Sequence, residues 1–353
     1  MLSCWRAPRG SIDRGQHLVA WRAALEPTEW MLAAARSRPG TLELFSRMAP
    51  PLRLGTRSSA LARWQAEWVA AQLVGLGHVV ELVPITTRGD ADQRNALFQT
   101  ASPGVFTKEL QRALVDEQID LAVHSLKDLP TDPVPGLTLA VVPEREDPRD
   151  VLVSRFGPLA ELPSGAQIGT GSLRRRAQLL HARGDLQMRD VRGNLDTRLA
   201  KLAAGQYDAL VLAHAGLNRL GLASEITETF APEVLMPAVG QGALGIETRS
   251  NDTATLGAVA ALDDRTTHAA VVAERSLLAE LRGGCLAPVG AWARLESPDV
   301  LRLDAVVLSV DGARRLAESA VGPLAEAELL GQSVARRLIT AGAEGLIAAA
   351  RTR

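Results

Sequence analysis

Leu52-Arg53-Leu54-Gly55-Thr56-Arg57-Ser58-Ser59 is the stretch where the pattern of the chain becomes regular. A short strand-like run is followed by a small-residue turn, and then by a helical spacing that puts Leu61, Trp64, Trp68 and Ala71 on one face. Reading outward, Val79 to Thr86 gives a second strand, Phe106 to Val115 a helix, Ile119 to His124 a third strand and Leu137 to Val142 a fourth. Strands and helices in alternation predict a parallel α/β sheet. After the charged Glu144-Arg145-Glu146-Asp147-Pro148-Arg149 the alternation restarts with Val151 to Ser154, Gln167 to Gly169, a helix from Ser172, Leu186 to Val191, another helix, and Ala209 to Ala213. A second α/β domain begins there. Gly240-Gln241-Gly242-Ala243-Leu244-Gly245-Ile246 is too rich in glycine for an ordinary helix, and Ala243 to Glu247 reads as a short strand returning to the first sheet. Two crossings between the domains make a hinge. The remainder reads as a helix from His268 to Leu281, strands Pro288 to Leu295 and Leu301 to Val310, and a helix from Ala325 to Ala341, a small third α+β domain.

Composition agrees with a globular chain: 353 residues, 46% hydrophobic and 22% charged, suffice for two or three cores. The net charge of -1 gives no footprint for nucleic acid or anionic membrane, so any charge argument is local. Cys4 and Cys285 do not make a disulfide framework and suit a reducing compartment, by default the cytoplasm. No apolar run approaches the roughly 18 to 20 residues of a membrane span. Residues 1–49 hold three of the six tryptophans and little periodicity beyond a short helical stretch near Trp30 to Arg36. They are read as an amino-terminal extension, poorly ordered or upstream of a native start near Met48, with a transit-like segment as the alternative.

The chemistry gathers at strand ends. Ile168-Gly169-Thr170-Gly171-Ser172-Leu173-Arg174-Arg175-Arg176 is a strand end, a small-residue turn and a helix start bearing guanidinium groups. Backbone N–H groups at such a helix start attract anions, and arginine grips a carboxylate or phosphate through paired hydrogen bonds. The spacing of a Walker loop or a dinucleotide fingerprint is missing. A solvated basic first turn is the plain alternative, but three arginines there oppose the helix dipole and call for an anionic partner. The device recurs at Arg192-Gly193-Asn194-Leu195-Asp196-Thr197-Arg198, Asn218-Arg219 follow the next strand, and Arg57 holds the corresponding place in the first domain. Carboxyl ends of strands are where open α/β folds place ligands, so one cleft can collect all of these residues around a polyanion. Each arginine taken alone is an ordinary surface residue.

Ile119 to Pro130 brings Ser125-Leu126-Lys127-Asp128 to that same edge. Lys127 and Asp128 alone read as a surface ion pair. Beside so many arginines, Asp128 is an apt acceptor for a cationic or N–H-bearing ligand atom and a candidate general acid or base. Arg282-Gly283-Gly284-Cys285 breaks a helix and sets a thiol in a loop, where nearby cations favour the thiolate; a small buried cysteine is the plain alternative.

From Arg53 to about Arg294 the chain resembles the porphobilinogen deaminase (hydroxymethylbilane synthase) family. The resemblance rests on an ordered series: Thr56-Arg57, Thr87-Arg88-Gly89-Asp90, Phe106-Thr107-Lys108-Glu109-Leu110, His124 to Asp128, Arg145-Glu146-Asp147-Pro148-Arg149-Asp150, Gly169 to Arg175, Arg192-Gly193-Asn194, Pro237 to Gly242 and Gly283-Gly284-Cys285. It implies two α/β domains built like a periplasmic solute-binding protein, joined by a hinge, and a small C-terminal α+β domain. On the segmentation above these are residues 50–146 with 238–262, 147–237, and 263–353.

The resemblance also implies a transferase of porphyrin and heme biosynthesis. In the family, the cysteine matching Cys285 holds a dipyrromethane cofactor by a thioether. Four porphobilinogen molecules are joined to it head to tail with loss of ammonia, and water releases hydroxymethylbilane. A growing hexapyrrole brings up to about a dozen carboxylates into the cleft, for which arginines are fitting counter-ions. Matched residue by residue, Asp128 is catalytic, Ser59, Ser125, Lys127, Asp128, Arg174 and Arg175 bind the cofactor, and Arg57, Arg192, Arg198, Arg219 and, more weakly matched, Lys108 bind substrate. No metal is implied, and Gln65 is too ordinary to assign. The expected partners are porphobilinogen and, for the product, uroporphyrinogen-III synthase, with no nucleic acid and no membrane; a cytoplasmic monomer is the family expectation. One departure stands out: where many relatives carry a loop lysine, this chain reads Ala101-Ser102-Pro103-Gly104. A two-lobed carboxylate-binding protein without catalysis is the competing class, and the loop thiol argues against it.

Overall fold

The structure is a computed structural model that describes residues 50–85, 107–284 and 287–351. The amino-terminal extension, the Ala101–Gly104 departure and Cys285 lie outside the described residues.

Strand β1 (Leu52–Thr56) runs into the turn that starts α1 (Ala60–Gly75), where the Ser59 hydroxyl accepts the Ala62 N–H and caps the helix. The face of α1 that meets the sheet is Gln65, Ala66, Val69 and Leu73. This corrects the expected face in part: Trp68 is half-buried and packs against the same core, Trp64 is half-buried and Ala71 is exposed, because the smaller alanine and valine approach the sheet more closely. β2 (Val80–Pro84), α2 (Lys108–Val115), β3 (Leu121–Ser125) and β4 (Leu137–Val141) follow. The chain then crosses to a second sheet built from β5 (Asp150–Ser154), β6 (Gln167–Gly169), α3 (Leu173–Ala182), β7 (Gln187–Arg189), α4 (Leu195–Ala203), β8 (Ala209–Ala213), α5 (His214–Arg219) and β9 (Glu228–Thr229). It crosses back as β10 (Leu244–Arg249).

The two sheets have the same plan. Their orders are β2-β1-β3-β10-β4 and β7-β6-β8-β5-β9. In each, the fourth place is taken by the strand that has just arrived over a crossing, and that strand runs antiparallel to both neighbours. The sheets are therefore mixed rather than parallel throughout, as the alternation alone had implied: period and helix spacing report a strand but not its direction. The remainder is α6 (Thr253–Val259), α7 (Arg265–Glu280), and the antiparallel sheet of β11 (Val289–Ser297), β12 (Val300–Leu308) and β13 (Arg315–Pro323), followed by α8 (Ala327–Thr340) and α9 (Ala343–Arg351). α7, α8 and one face of this sheet enclose a single core that includes Leu277, Leu303 and Val334. Among the described residues no helix is long and apolar enough to cross a membrane.

The two crossings lie against each other. Gly242 has φ +86°, and a Cβ there would come 2.3 Å from Glu146 O on the first crossing. Arg145 on the first crossing donates from Nε to Gln241 O at 2.8 Å, and its other nitrogens pair with the fully buried Glu274 of α7 at 2.7 and 3.1 Å. Glu274 also accepts the N–H of Gly240 at 2.7 Å and of Ala293 at 2.9 Å. One carboxylate thus joins both crossings to the third sheet.

Gly242→Ala is expected to lower stability by on the order of 2 kcal/mol or more, from left-handed strain together with the clash on Glu146 O. Urea unfolding of the variant against the parent measures this.

Candidate active site

Asp150, first residue of β5, is fully buried. Arg174 Nη1 donates to its Oδ2 at 2.6 Å, Arg175 Nε to its Oδ1 at 2.9 Å, and Gln241 Nε2 to the same oxygen at 3.0 Å. Burial alone would raise this carboxyl, but the two guanidinium charges and the hydrogen bonds bring it from 3.8 down to about 2. The anionic partner demanded by the arginine-rich start of α3 is therefore, in the first instance, a residue of the chain itself. Arg174 also donates to Met236 O at 2.7 Å and Arg175 to Val211 O at 2.8 Å. Arg174 Nε is buried without a hydrogen-bond partner among the described residues.

Next to this pair stands the turn that follows β3, a short 3-10 segment over Leu126–Asp128. Lys127 is half-buried and its ammonium donates to Gln241 Oε1 at 3.2 Å instead of pairing with Asp128. Crowding by protein, with the charge of Arg175 next in weight, lowers Lys127 to about 8, while Asp128 and Asp150 oppose the shift. Asp128 itself is exposed. Ser125 is held by Gln65, whose Nε2 donates to the serine Oγ at 2.8 Å. Arg198, near the start of α4, donates from Nε to Gly193 O at 2.8 Å, and burial lowers its pKa, with Arg175 and Arg192 adding and Asp128 opposing. Lys127 therefore lies within electrostatic reach of Arg174, Arg175, Asp128 and Asp150, and Arg198 within reach of Arg175, Arg192 and Asp128. Lys127 and Arg198, both partly desolvated, act on the same exposed carboxylate, Asp128.

The other expected site residues make contacts of their own. Arg219 donates to Gly242 O at 2.6 Å, its guanidinium stands 5.9 Å from the Trp64 ring, and burial lowers it to about 10. It links the end of α5 to the second crossing and to α1. Arg57 is half-buried just beyond β1, Ser59 is occupied as the cap of α1, and Lys108 is exposed at the start of α2. Cys285 is outside the described residues, but a cavity of about 570 Å³ is lined by Lys127, Leu129, Thr131, Val239, Arg275 and Gly284, so it reaches the residue immediately before the cysteine. Asp150, Gln241 and Gln65 carry the geometry without having been assigned from sequence. The first two lay inside quoted motifs, whereas Gln65 had only its place on an apolar helix face.

The sequence matches the family description "Porphobilinogen deaminase, dipyromethane cofactor binding domain" over residues 52–257, and "Porphobilinogen deaminase, C-terminal domain" over residues 268–340. The chain belongs to the porphobilinogen deaminase family. The porphobilinogen deaminase of Syntrophotalea carbinolica is 48% identical over 301 residues, 84% of this chain and 95% of the relative, and that of Acidothermus cellulolyticus is 50% identical over 303 residues, 84% and 91%. Among solved structures, the methionine binding protein MetQ is 16% identical with a TM-score of 0.39, over 59% of this chain and 87% of that one.

Membership makes the chain a transferase of tetrapyrrole synthesis with a dipyrromethane cofactor. The residues present suit that group. Its acetate and propionate side chains are anions, and Lys127, Arg192 and Arg198 supply cations that hold no ion pair with a described carboxylate; Lys127 also lines the cavity that reaches Gly284.

In a porphobilinogen deaminase built this way, Asp150→Asn leaves two buried arginines without their carboxylate and is expected to cost about 3–5 kcal/mol. The folded carboxyl titrates below its unfolded value, so its contribution is complete above about pH 4 and is lost as pH falls toward about 2. The stability gap between parent and Asp150→Asn, measured by denaturant unfolding, should accordingly narrow from pH 4 to pH 2.

Proposed function

We propose that Cys285 carries the dipyrromethane primer through a thioether, that Asp128 is the catalytic residue, and that the cations around it bind the carboxylates of primer and substrate. The observation that carries this reading is that Lys127 and Arg198, set at the ends of strands in the two different sheets, both lie within electrostatic reach of the exposed Asp128 just beyond the carboxyl end of β3. The overall reaction is hydroxymethylbilane synthesis, the head-to-tail joining of four porphobilinogen molecules with loss of ammonia and final hydrolytic release. When bound, the cofactor supplies the terminal pyrrole carbon to which the first porphobilinogen is joined.

Asp128 accepts hydrogen bonds from pyrrole N–H groups and opposes the positive charge that develops on porphobilinogen as ammonia departs. It can also take up the proton released when each new carbon–carbon bond restores the aromatic ring. Lys127, Arg192 and Arg198 are the direct carboxylate contacts. Arg174 and Arg175, which are tied to Asp150 and two backbone carbonyls, act mainly by setting the field and the shape of the turn. Ser125, fixed by Gln65, offers a hydroxyl beside them. Arg57, Ser59, Arg219 and Lys108 belong to the wider rim that receives the growing chain. The domain division given above, a cytoplasmic location, a monomeric state and delivery of product to uroporphyrinogen-III synthase are part of the same proposal and rest on the family expectation.

The intact mass of the purified protein should exceed that of the polypeptide by a dipyrromethane. Cys285→Ser should lose both that increment and the colour reaction of the pyrroles; a bare mass that stays bare after incubation with porphobilinogen would sink the assignment. Asp128→Ala should keep the cofactor mass when loaded with preformed primer and lower kcat by roughly 10²- to 10³-fold, read by ammonia release. Ordinary turnover in that variant would remove Asp128 from its role.

A further inference from the structure

Gln241 is 1% exposed and sits on the second crossing between two glycines of positive φ, +69° at Gly240 and +86° at Gly242. Its side chain is oriented from one side. Nε2 donates to Pro148 O at 2.7 Å and Asp150 Oδ1 at 3.0 Å, with Arg149 O a third acceptor at 3.4 Å. Rotating the amide would turn its oxygen toward two carbonyls and a carboxylate, so the nitrogen side is settled by its surroundings and Oε1 is turned to Lys127 Nζ. The backbone is held as well: Gln241 O accepts Arg145 Nε at 2.8 Å, and Gln241 N donates to Ala238 O at 2.9 Å. The Lys127 ammonium faces Asp128 of its own turn, Asp150 at the start of β5, and Arg174 and Arg175 of α3. Gln241 Oε1 is its one hydrogen-bond acceptor among the described residues.

We propose that Gln241 is the positioning residue for Lys127, a neutral relay that fixes the ammonium beside Asp128 and ties its place to the Asp150–Arg174–Arg175 cluster on the other side of the hinge. The proposal rests on the assignment of Lys127 to the anionic side chains of primer and substrate. Burial and two arginines disfavour the ammonium where it stands, Asp128 and Asp150 oppose them without a hydrogen bond to it, and the fixed amide oxygen is the group that holds it in place. A carboxylate in that place would compete with the ligand, whereas an amide leaves the positive charge available. The lysine is thus set by the crossings and not by its own turn alone.

The chain has only three lysines, Lys108, Lys127 and Lys201. Lysine labelled with ¹³C at Cε therefore gives three NMR signals in the cofactor-loaded protein, and Lys127→Met assigns the one in question. Gln241→Met removes an acceptor from the charged form and should move the Lys127 midpoint to lower pH by about one unit. The near-isosteric Gln241→Glu should move it to higher pH, and Lys108 and Lys201 should stay put in both. A Lys127 midpoint unchanged in whichever variant folds overturns the proposal. In the parent protein the Gln241 side-chain amide signals should titrate with the Lys127 midpoint, and flat signals overturn it even if neither variant folds. Undiminished porphobilinogen turnover by Lys127→Met would remove the functional reading of Lys127 instead, leaving the titrations to judge the coupling.

Discussion

Asp150 is gripped by two arginines of α3 and by the amide of Gln241, with no exposure of its own. Bringing a carboxylate out of water costs several kcal/mol unless its partners are complete. Here the partners come from three separate stretches: the carboxylate ends the first crossing, the arginines start a helix of the second lobe, and the amide lies on the second crossing. None of them can be satisfied unless the crossings lie side by side. The same requirement is imposed again by Glu274, which takes Arg145 from one crossing, Gly240 N from the other and Ala293 N from β11. The hinge is thus polar and tightly specified.

This arrangement also explains the charge of the site. Two of the arginines that give the turn its basic appearance are largely spent inside the protein, so their effect on a ligand is through the field more than through contact. What lies outside that pairing is a smaller set, Lys127 and Arg198 within electrostatic reach of Asp128, and the exposed Arg192 within reach of Arg198. On the proposed reading, a carboxylate that acts repeatedly on cationic and N–H-bearing species is well placed amid cations that hold the carboxylates of the same ligand.

Much of this was legible in the sequence. The order of strands and helices through β8, the return of the chain near Ala243, and the grouping of Lys127, Asp128, Arg174, Arg175, Arg192 and Arg198 at strand ends follow from periodicity and turn chemistry. Strand direction was not legible, because β5 and β10 look like any other apolar run, and their antiparallel placement depends on the crossings. β13 escaped notice because Arg315–Pro323 alternates exposed and half-buried small residues with little apolar signal, and α9 because its alanine-rich turns resemble a continuation of α8. The buried face of α1 was misread since large rings outweigh alanine in a hydrophobic count but not in a close contact. Asp150 was hidden by its charge: sequence alone gives no reason to bury an aspartate until its arginines are known to turn inward.

The exchanged strands have a consequence for how the chain is made. β3 and β4 are not neighbours in the first sheet but are joined through β10, which is synthesised only after the whole second lobe. As the polypeptide emerges, the first lobe waits with two unsatisfied strand edges, while the second lobe already has β5 in place and can close its own sheet. The lobe that comes first in the sequence is therefore the last of the two to be completed, and a fragment that ends at the first crossing lacks the strand that joins β3 to β4.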